Sequence, residues 1–242
     1  IPTTGPKARG TPVIGLLSIP GEQIAATFAL ADYPQDMFLV ILTREGRIKK
    51  IPLGEVANLT ARGLMIAKLS EGDAVIQVGL AASNAQVVLA TSGGRLLRFA
   101  VDEVQLPAMG RAAVGLKALQ LRKGEDLVGM AVTTLTETLL LVTRNGWAKR
   151  LKATEVRAQE RGGVGTPAMK FHERGDVLIG MLTVGAEADL AFVSDRERVM
   201  RLNSVDIPEQ SRSTHGQQIP AIQPEEHLIA VALVGAESES ED

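Results

Sequence analysis

The chain repeats itself about every 51 residues, and this period limits the possible folds more than any other feature of the sequence. Arg62-Gly63-Leu64-Met65-Ile66-Ala67-Lys68-Leu69-Ser70-Glu71-Gly72-Asp73 lies without a gap over Val114-Gly115-Leu116-Lys117-Ala118-Leu119-Gln120-Leu121-Arg122-Lys123-Gly124-Glu125. Related segments place a glycine at 10, 63, 115, 165 and 216, and a second turn marker at 21, 72, 124, 175 and 226. An earlier half-unit recurs too: Thr43-Arg44-Glu45-Gly46-Arg47, Thr91-Ser92-Gly93-Gly94-Arg95 and Thr143-Arg144-Asn145-Gly146-Trp147 each end an apolar run, and a fourth copy carries Glu197 in place of the glycine. The spacing predicts a half-unit at 9–34 and full units at 37–82, 85–133, 137–185 and 188–234, followed by a mobile acidic tail at 235–242.

Within a unit the apolar runs are short and broken by Glu-Gly, Gly-Gly or Asn-Gly turns, which supply the positive φ of a tight hairpin. A helical repeat needs longer periodic runs, so each unit reads as four strands: in the first, 38–43, 47–51, 64–69 and 75–80. Four short strands per unit of this length make the blade of an all-β, propeller-like ring or spiral, here of about five blades with the first incomplete. With aromatics at 3%, the blade interfaces must be filled by Leu, Val, Ile and Ala, and both Trp147 and Tyr33 read as packing residues.

Composition narrows the function. Hydrophobic residues make up 45% of the 242, enough for a core, yet no apolar run approaches the roughly 18 residues of a membrane helix, so no membrane partner is expected. The absence of cysteine removes disulfides, thiolate zinc sites and thiol nucleophiles. No phosphate loop, dinucleotide fingerprint or nucleophile elbow is present. His172, His215 and His227 stand apart as solvated loop residues, so no active site, metal or cofactor is expected in this domain. Acidic turns such as Glu71-Gly72-Asp73 read as backbone caps. The start at Ile1 suggests a piece of a longer protein.

The formal charge of −2 hides a division. Four acids lie in the last six residues, leaving 26 basic against 24 acidic in the body. Cations recur at fixed places: Arg47, Lys49 and Lys50, then Arg95 and Arg98, then Lys149, Arg150 and Lys152, then Arg198 and Arg201 on or near the second strand, with Arg62, Arg111, Arg157 together with Arg161, and Arg212 ahead of the third. A basic rim facing an acidic edge follows, suited to duplex phosphates rather than to stacked single strands. Solvated strand ends, or a platform for protein partners, are the alternative readings of the same pattern.

Gln159-Glu160-Arg161-Gly162-Gly163-Val164-Gly165 resembles the Gln-Arg-Arg-Gly-Gly-Lys-Gly box found in the C-terminal domain of the DNA gyrase A subunit. The loops Ala8-Arg9-Gly10-Thr11-Pro12-Val13-Ile14, Met109-Gly110-Arg111-Ala112-Ala113-Val114-Gly115 and Ser211-Arg212-Ser213-Thr214-His215-Gly216 are similar to the family's secondary pattern. The resemblance implies a β-pinwheel with strands exchanged between neighbouring blades, a rim that binds and wraps double-stranded DNA, and a place in a cytoplasmic, nucleoid-associated bacterial heterotetramer. Its partners there would be the B subunit together with the N-terminal part of the A subunit, while ATP and Mg are used elsewhere in that enzyme. Carried over residue by residue, it adds Gln159, Gly162, Gly163 and Gly165 to Arg161 among the DNA-binding candidates. Glu160 and Val164 replace two cations of the box, so this loop is expected to bind DNA weakly; the equivalent domain of topoisomerase IV is the nearest alternative.

Overall fold

The computed structural model describes residues 5, 8–12, 23–59, 63–220 and 222–234. Fifteen strands occur among these: β1 (Met37–Thr43), β2 (Arg47–Pro52), β3 (Val75–Ala82), β4 (Gln86–Thr91), β5 (Arg95–Ala100), β6 (Leu116–Lys117), β7 (Leu127–Thr133), β8 (Thr138–Thr143), β9 (Trp147–Lys152), β10 (Thr166–Pro167), β11 (Leu178–Val184), β12 (Asp189–Ser194), β13 (Val199–Asn203), β14 (Gln217–Gln218) and β15 (Leu228–Leu233). They form antiparallel sheets in the orders β3-β1-β2-β6, β7-β4-β5-β10, β11-β8-β9-β14 and β15-β12-β13. The all-β blade architecture is thus the one the period implies. The acidic tail and residues 13–22 of the half-unit lie outside the described residues.

The third strand is exchanged between blades, as the resemblance implies, but it is much shorter than the run the spacing predicts. It is not a full strand of its own unit but a two-residue piece added to the sheet of the unit before: Lys117 pairs with Arg47, Leu96 with Thr166, and Trp147 with Gln218. Residues 64–69 pair with no strand among the described residues, because the acceptor is always the second strand of a preceding unit and the described residues contain none ahead of β1. Ahead of each exchanged piece, the chain first bridges the same acceptor strand in parallel, at Lys50–Ala108, Arg98–Ala158 and Arg150–Glu209. Residues 109–115, 159–165 and 210–216 therefore bow out from the outer edge of three successive sheets.

The hairpins explain why the half-unit motif recurs. In the first, Gly46 N–H donates to Thr43 O at 3.0 Å and Arg47 N–H to Thr43 Oγ1 at 3.2 Å. Thr91 and Thr143 do the same for Arg95 and Trp147. The acidic turn of the same unit closes the hairpin from the side: Asp73 Oδ1 accepts from Glu45 N–H at 3.0 Å, and Asp176 Oδ1 from Asn145 N–H at 3.0 Å. These carboxylates act as backbone caps. The turn backbone is kept even where glycine is lost, since Glu197 has φ 58° and Glu225 has φ 60°, which puts the second turn residue of the last unit at 225 rather than at the 226 expected from the spacing. A left-handed residue with a Cβ costs about 1 kcal/mol, so Glu197→Gly should stabilise the chain by roughly that amount in urea denaturation. An unchanged midpoint would show that the Glu197 side chain offsets the cost.

The core lies between the blades. Val40, Leu42 and Ile48 of the first sheet meet Val87, Leu89, Leu97 and Phe99 of the second. Val88, Ala90 and Leu96 meet Leu139, Leu141 and Leu151, and Leu140, Val142 and Ala148 meet Leu190, Phe192 and Met200. Because the first three sheets are buried on both faces, their central strands read as continuous apolar runs, whereas β12 of the last sheet alternates buried with partly exposed residues.

Candidate nucleic-acid interface

The second-strand cations divide by position into three sets. The first residue after the hairpin lies beside the acidic turn of its own unit. Arg95 is 2% exposed and its guanidinium pairs with both oxygens of Glu125, while Arg198 pairs with Glu226 at 2.6 Å. Arg47 is exposed, at a hairpin whose neighbour is Asp73. The expected separation of a basic from an acidic edge therefore fails here, because sheet pairing brings the start of the second strand against the turn before the fourth.

The second set is buried, contrary to its expected place on the rim. Lys49 is 2% exposed and Lys149 0%. Their side chains point into the next unit's loop. Lys49 Nζ donates to Gly110 O, Arg111 O and Ala113 O at 2.9–3.0 Å and to Ile66 O at 3.1 Å. Lys149 Nζ donates to Ser211 O, Arg212 O and Thr214 O at 2.8–3.1 Å. An ammonium saturated by carbonyls inside the protein has no donor left for a phosphate. Burial pushes Lys149 down to about 8, with Glu155 opposing the shift and Arg212 adding to it, and burial likewise lowers Lys49. In the second unit Leu97 holds this position, and Arg95 instead donates to Val164 O within the box-like loop.

The third set reaches across the blade boundary. Lys50, 1% exposed, donates to Val101 O at 3.2 Å and pairs with Glu103 at 2.8 Å. Arg98 donates to Val156 O and to Gln86 Oε1, and Arg150 donates to Ile207 O. In the last unit, which receives no exchanged strand among the described residues, Arg201 pairs with Asp189 at 2.7 Å. Lys152 pairs with Glu209 at 3.2 Å.

The bowed loops hold the remaining candidates. Arg111 is exposed and pairs with Glu55 at 3.6 Å, and Arg157 is exposed with no ion pair among the described residues. Arg161 is half-buried and ties blades together, donating to Gln105 O at 2.5 Å and Lys117 O at 2.6 Å, while Gln159 Nε2 donates to Thr166 Oγ1. Arg212 makes one long bond, to Pro167 O at 3.4 Å. Arg62 lies outside the described residues.

The recurrent glycine at the end of each loop is a contact with protein. A Cβ on Gly115, Gly165 or Gly216 would stand 2.8, 2.8 or 2.5 Å from the carbonyl oxygen of Ile48, Leu96 or Ala148 on the acceptor strand. Gly162 N–H donates to Ala118 O, and Gly163 O accepts from Gln120 N–H, both at 2.8 Å. The glycines of the box-like loop thus fasten one blade to the next.

Sequence reasoning missed one cluster. Trp147 and His172 stack at 4.3 Å, and His215 meets His172 edge-on at 5.6 Å, so two histidines expected to stand apart come together. His227 pairs instead with Asp195 at 3.2 Å. Among the described residues no group of acidic or histidine side chains could hold a metal ion, and no helix is long and apolar enough to cross a membrane.

Comparison with known proteins places this geometry. The DNA gyrase A subunit of Synechocystis sp. is 31% identical over the whole of this chain, which covers 32% of that protein. That of Staphylococcus aureus strain MRSA252 is 29% identical, again over the whole chain and 28% of the relative, so the chain spans about a third of the length of these relatives. Among solved structures, a DNA gyrase A C-terminal domain superposes with a TM-score of 0.77 at 20% identity, over 94% of this chain and 76% of the other. The C-terminal domain of DNA topoisomerase IV gives 0.81 at 21%, over 94% and 71%. The family model for the DNA gyrase C-terminal domain, beta-propeller, matches residues 38–81, 85–134, 137–184 and 188–234, one match per blade, and with strand exchange joining those blades the chain belongs to that family.

Proposed function

We propose that this chain binds and wraps duplex DNA along the outer edge of its blades, as the non-catalytic DNA-wrapping part of a DNA gyrase A subunit. The observation that carries this reading is the recurrence of an arginine, Arg111, Arg161 and Arg212, at the same place in three loops bowed from the outer edges of successive sheets. A duplex following that edge meets a cation at each blade, which neutralises phosphates without reading bases. In the intact enzyme the B subunit, together with the N-terminal part of the A subunit, supplies strand cleavage, ATP hydrolysis and their Mg. Wrapping here gives the supercoiling reaction its handedness, in the bacterial cytoplasm at the nucleoid.

The topoisomerase IV alternative is matched equally well by fold, but the two relatives named above are A subunits of gyrase, which favours gyrase. The test is duplex affinity across salt for a short and a several-fold longer fragment. Expected is a log–log salt slope of about −3 or steeper on the long fragment, since each neutralised phosphate contributes about −0.9. A shallow slope independent of length would overturn the reading and favour a module for protein partners.

A further inference from the structure

Between the third and fourth units the outer edge opens into a cleft of about 500 Å³. Its walls come from Glu155 after β9, Pro167 and Lys170 at and after β10, and Ser211, Arg212 and Ser213 of the last bowed loop. The loop backbone is fixed from behind, where Lys149 gathers three of its carbonyls and Lys170 N–H donates to Thr214 O at 3.1 Å. With those carbonyls turned inward, the polar side chains line the open side. Ser211 and Ser213 hydroxyls sit 3.3 Å apart, Lys170 is exposed and in no ion pair among the described residues, and Arg212 spends one long bond on Pro167 O. The other bowed loops lack this combination, since Arg111 faces Glu55 and Arg161 is committed to two carbonyls.

We infer that this cleft is a phosphodiester site, and that it, rather than the box-like loop at 159–165, anchors DNA on this chain. The inference rests on the DNA-binding reading above and assigns it a place. A phosphodiester is a monoanion whose free oxygens accept from guanidinium, ammonium and hydroxyl together, and Arg212, Lys170, Ser211 and Ser213 supply all three.

The test measures binding of a short labelled duplex by fluorescence anisotropy at fixed ionic strength, with circular dichroism to check the fold of each variant. Arg212→Gln and Lys170→Ala should each weaken binding about fivefold or more, whereas Lys123→Ala, an exposed lysine ahead of β7, should leave it unchanged. Glu155→Gln removes the one anion of the cleft and should tighten binding roughly two- to threefold, a gain that a damaged fold does not produce. Salt-sensitive binding that Arg212→Gln, Lys170→Ala and Glu155→Gln all leave at the wild-type level would overturn the cleft while leaving the DNA-binding reading intact. A wild-type chain that binds no duplex at any salt would overturn both readings.

Discussion

Gly216→Ala should destabilise the chain by about 3 kcal/mol, lowering its melting temperature by about 8 °C. Gly216 has φ 88°, where an alanine costs about 1 kcal/mol. The added Cβ would also stand 2.5 Å from Ala148 O, a backbone atom of a central strand that cannot move aside without breaking the β9–β14 pairing. Gly175→Ala separates the two effects. That residue has φ 89° but nothing within 4 Å of its Cβ position, so it should lose only about 1 kcal/mol. Equal losses in the two variants, measured by urea denaturation, would mean that the close approach to the neighbouring blade contributes nothing.

Lys149→Met should cost a similar amount, about 3 kcal/mol, although methionine matches the lysine stem in shape. Substitution leaves Ser211 O, Arg212 O and Thr214 O without their common donor in a site closed to water. The pH dependence gives an independent check. Lys149 titrates at about 8 in the folded chain against an ordinary 10.5, so between those values the unfolded chain holds a proton that the folded chain has released. Stability contributed by this group therefore rises with pH across that window and falls as pH drops through about 8. The gap between wild type and Lys149→Met should widen in favour of the wild type from about pH 7.5 to about pH 9.5. A constant gap would place the lysine proton outside the linkage. Loss of the carbonyl clamp should also loosen the loop that carries Arg212, so the variant should bind DNA more weakly despite leaving every exposed cation in place.

Much of the blade was legible because hairpin chemistry is local. Thr43, Gly46 and Arg47 announce a turn whose hydroxyl and glycine requirements lie within five residues, and the copies at Thr91 and Thr143 repeat it. The acidic turns were legible as backbone caps for the same reason, although their target, Glu45 N–H for Asp73, lies 28 residues away. The site was far less legible. Lys49 and Arg47 alternate along one short strand and carry the same charge, yet one is buried under four carbonyls and the other is exposed. Alternation fixes which residues share a face, but not what covers it.

The sequence by itself determined the period, the all-β blades and their apolar central strands, because hydrophobic runs and turn residues act through their immediate neighbours. The resemblance implied strand exchange, but only the tertiary structure decided how short the exchanged pieces are, two residues each at β6, β10 and β14, and through that exchange it settled the fate of the cations. The acceptor strand is enclosed by a loop from the next unit, so a lysine in its middle meets inward-facing carbonyls, while an arginine on the bowed loop is left at the outer edge. Charge is a property of the residue. Exposure depends on contacts some 60 residues away, such as Lys49 with Gly110, which no local pattern encodes.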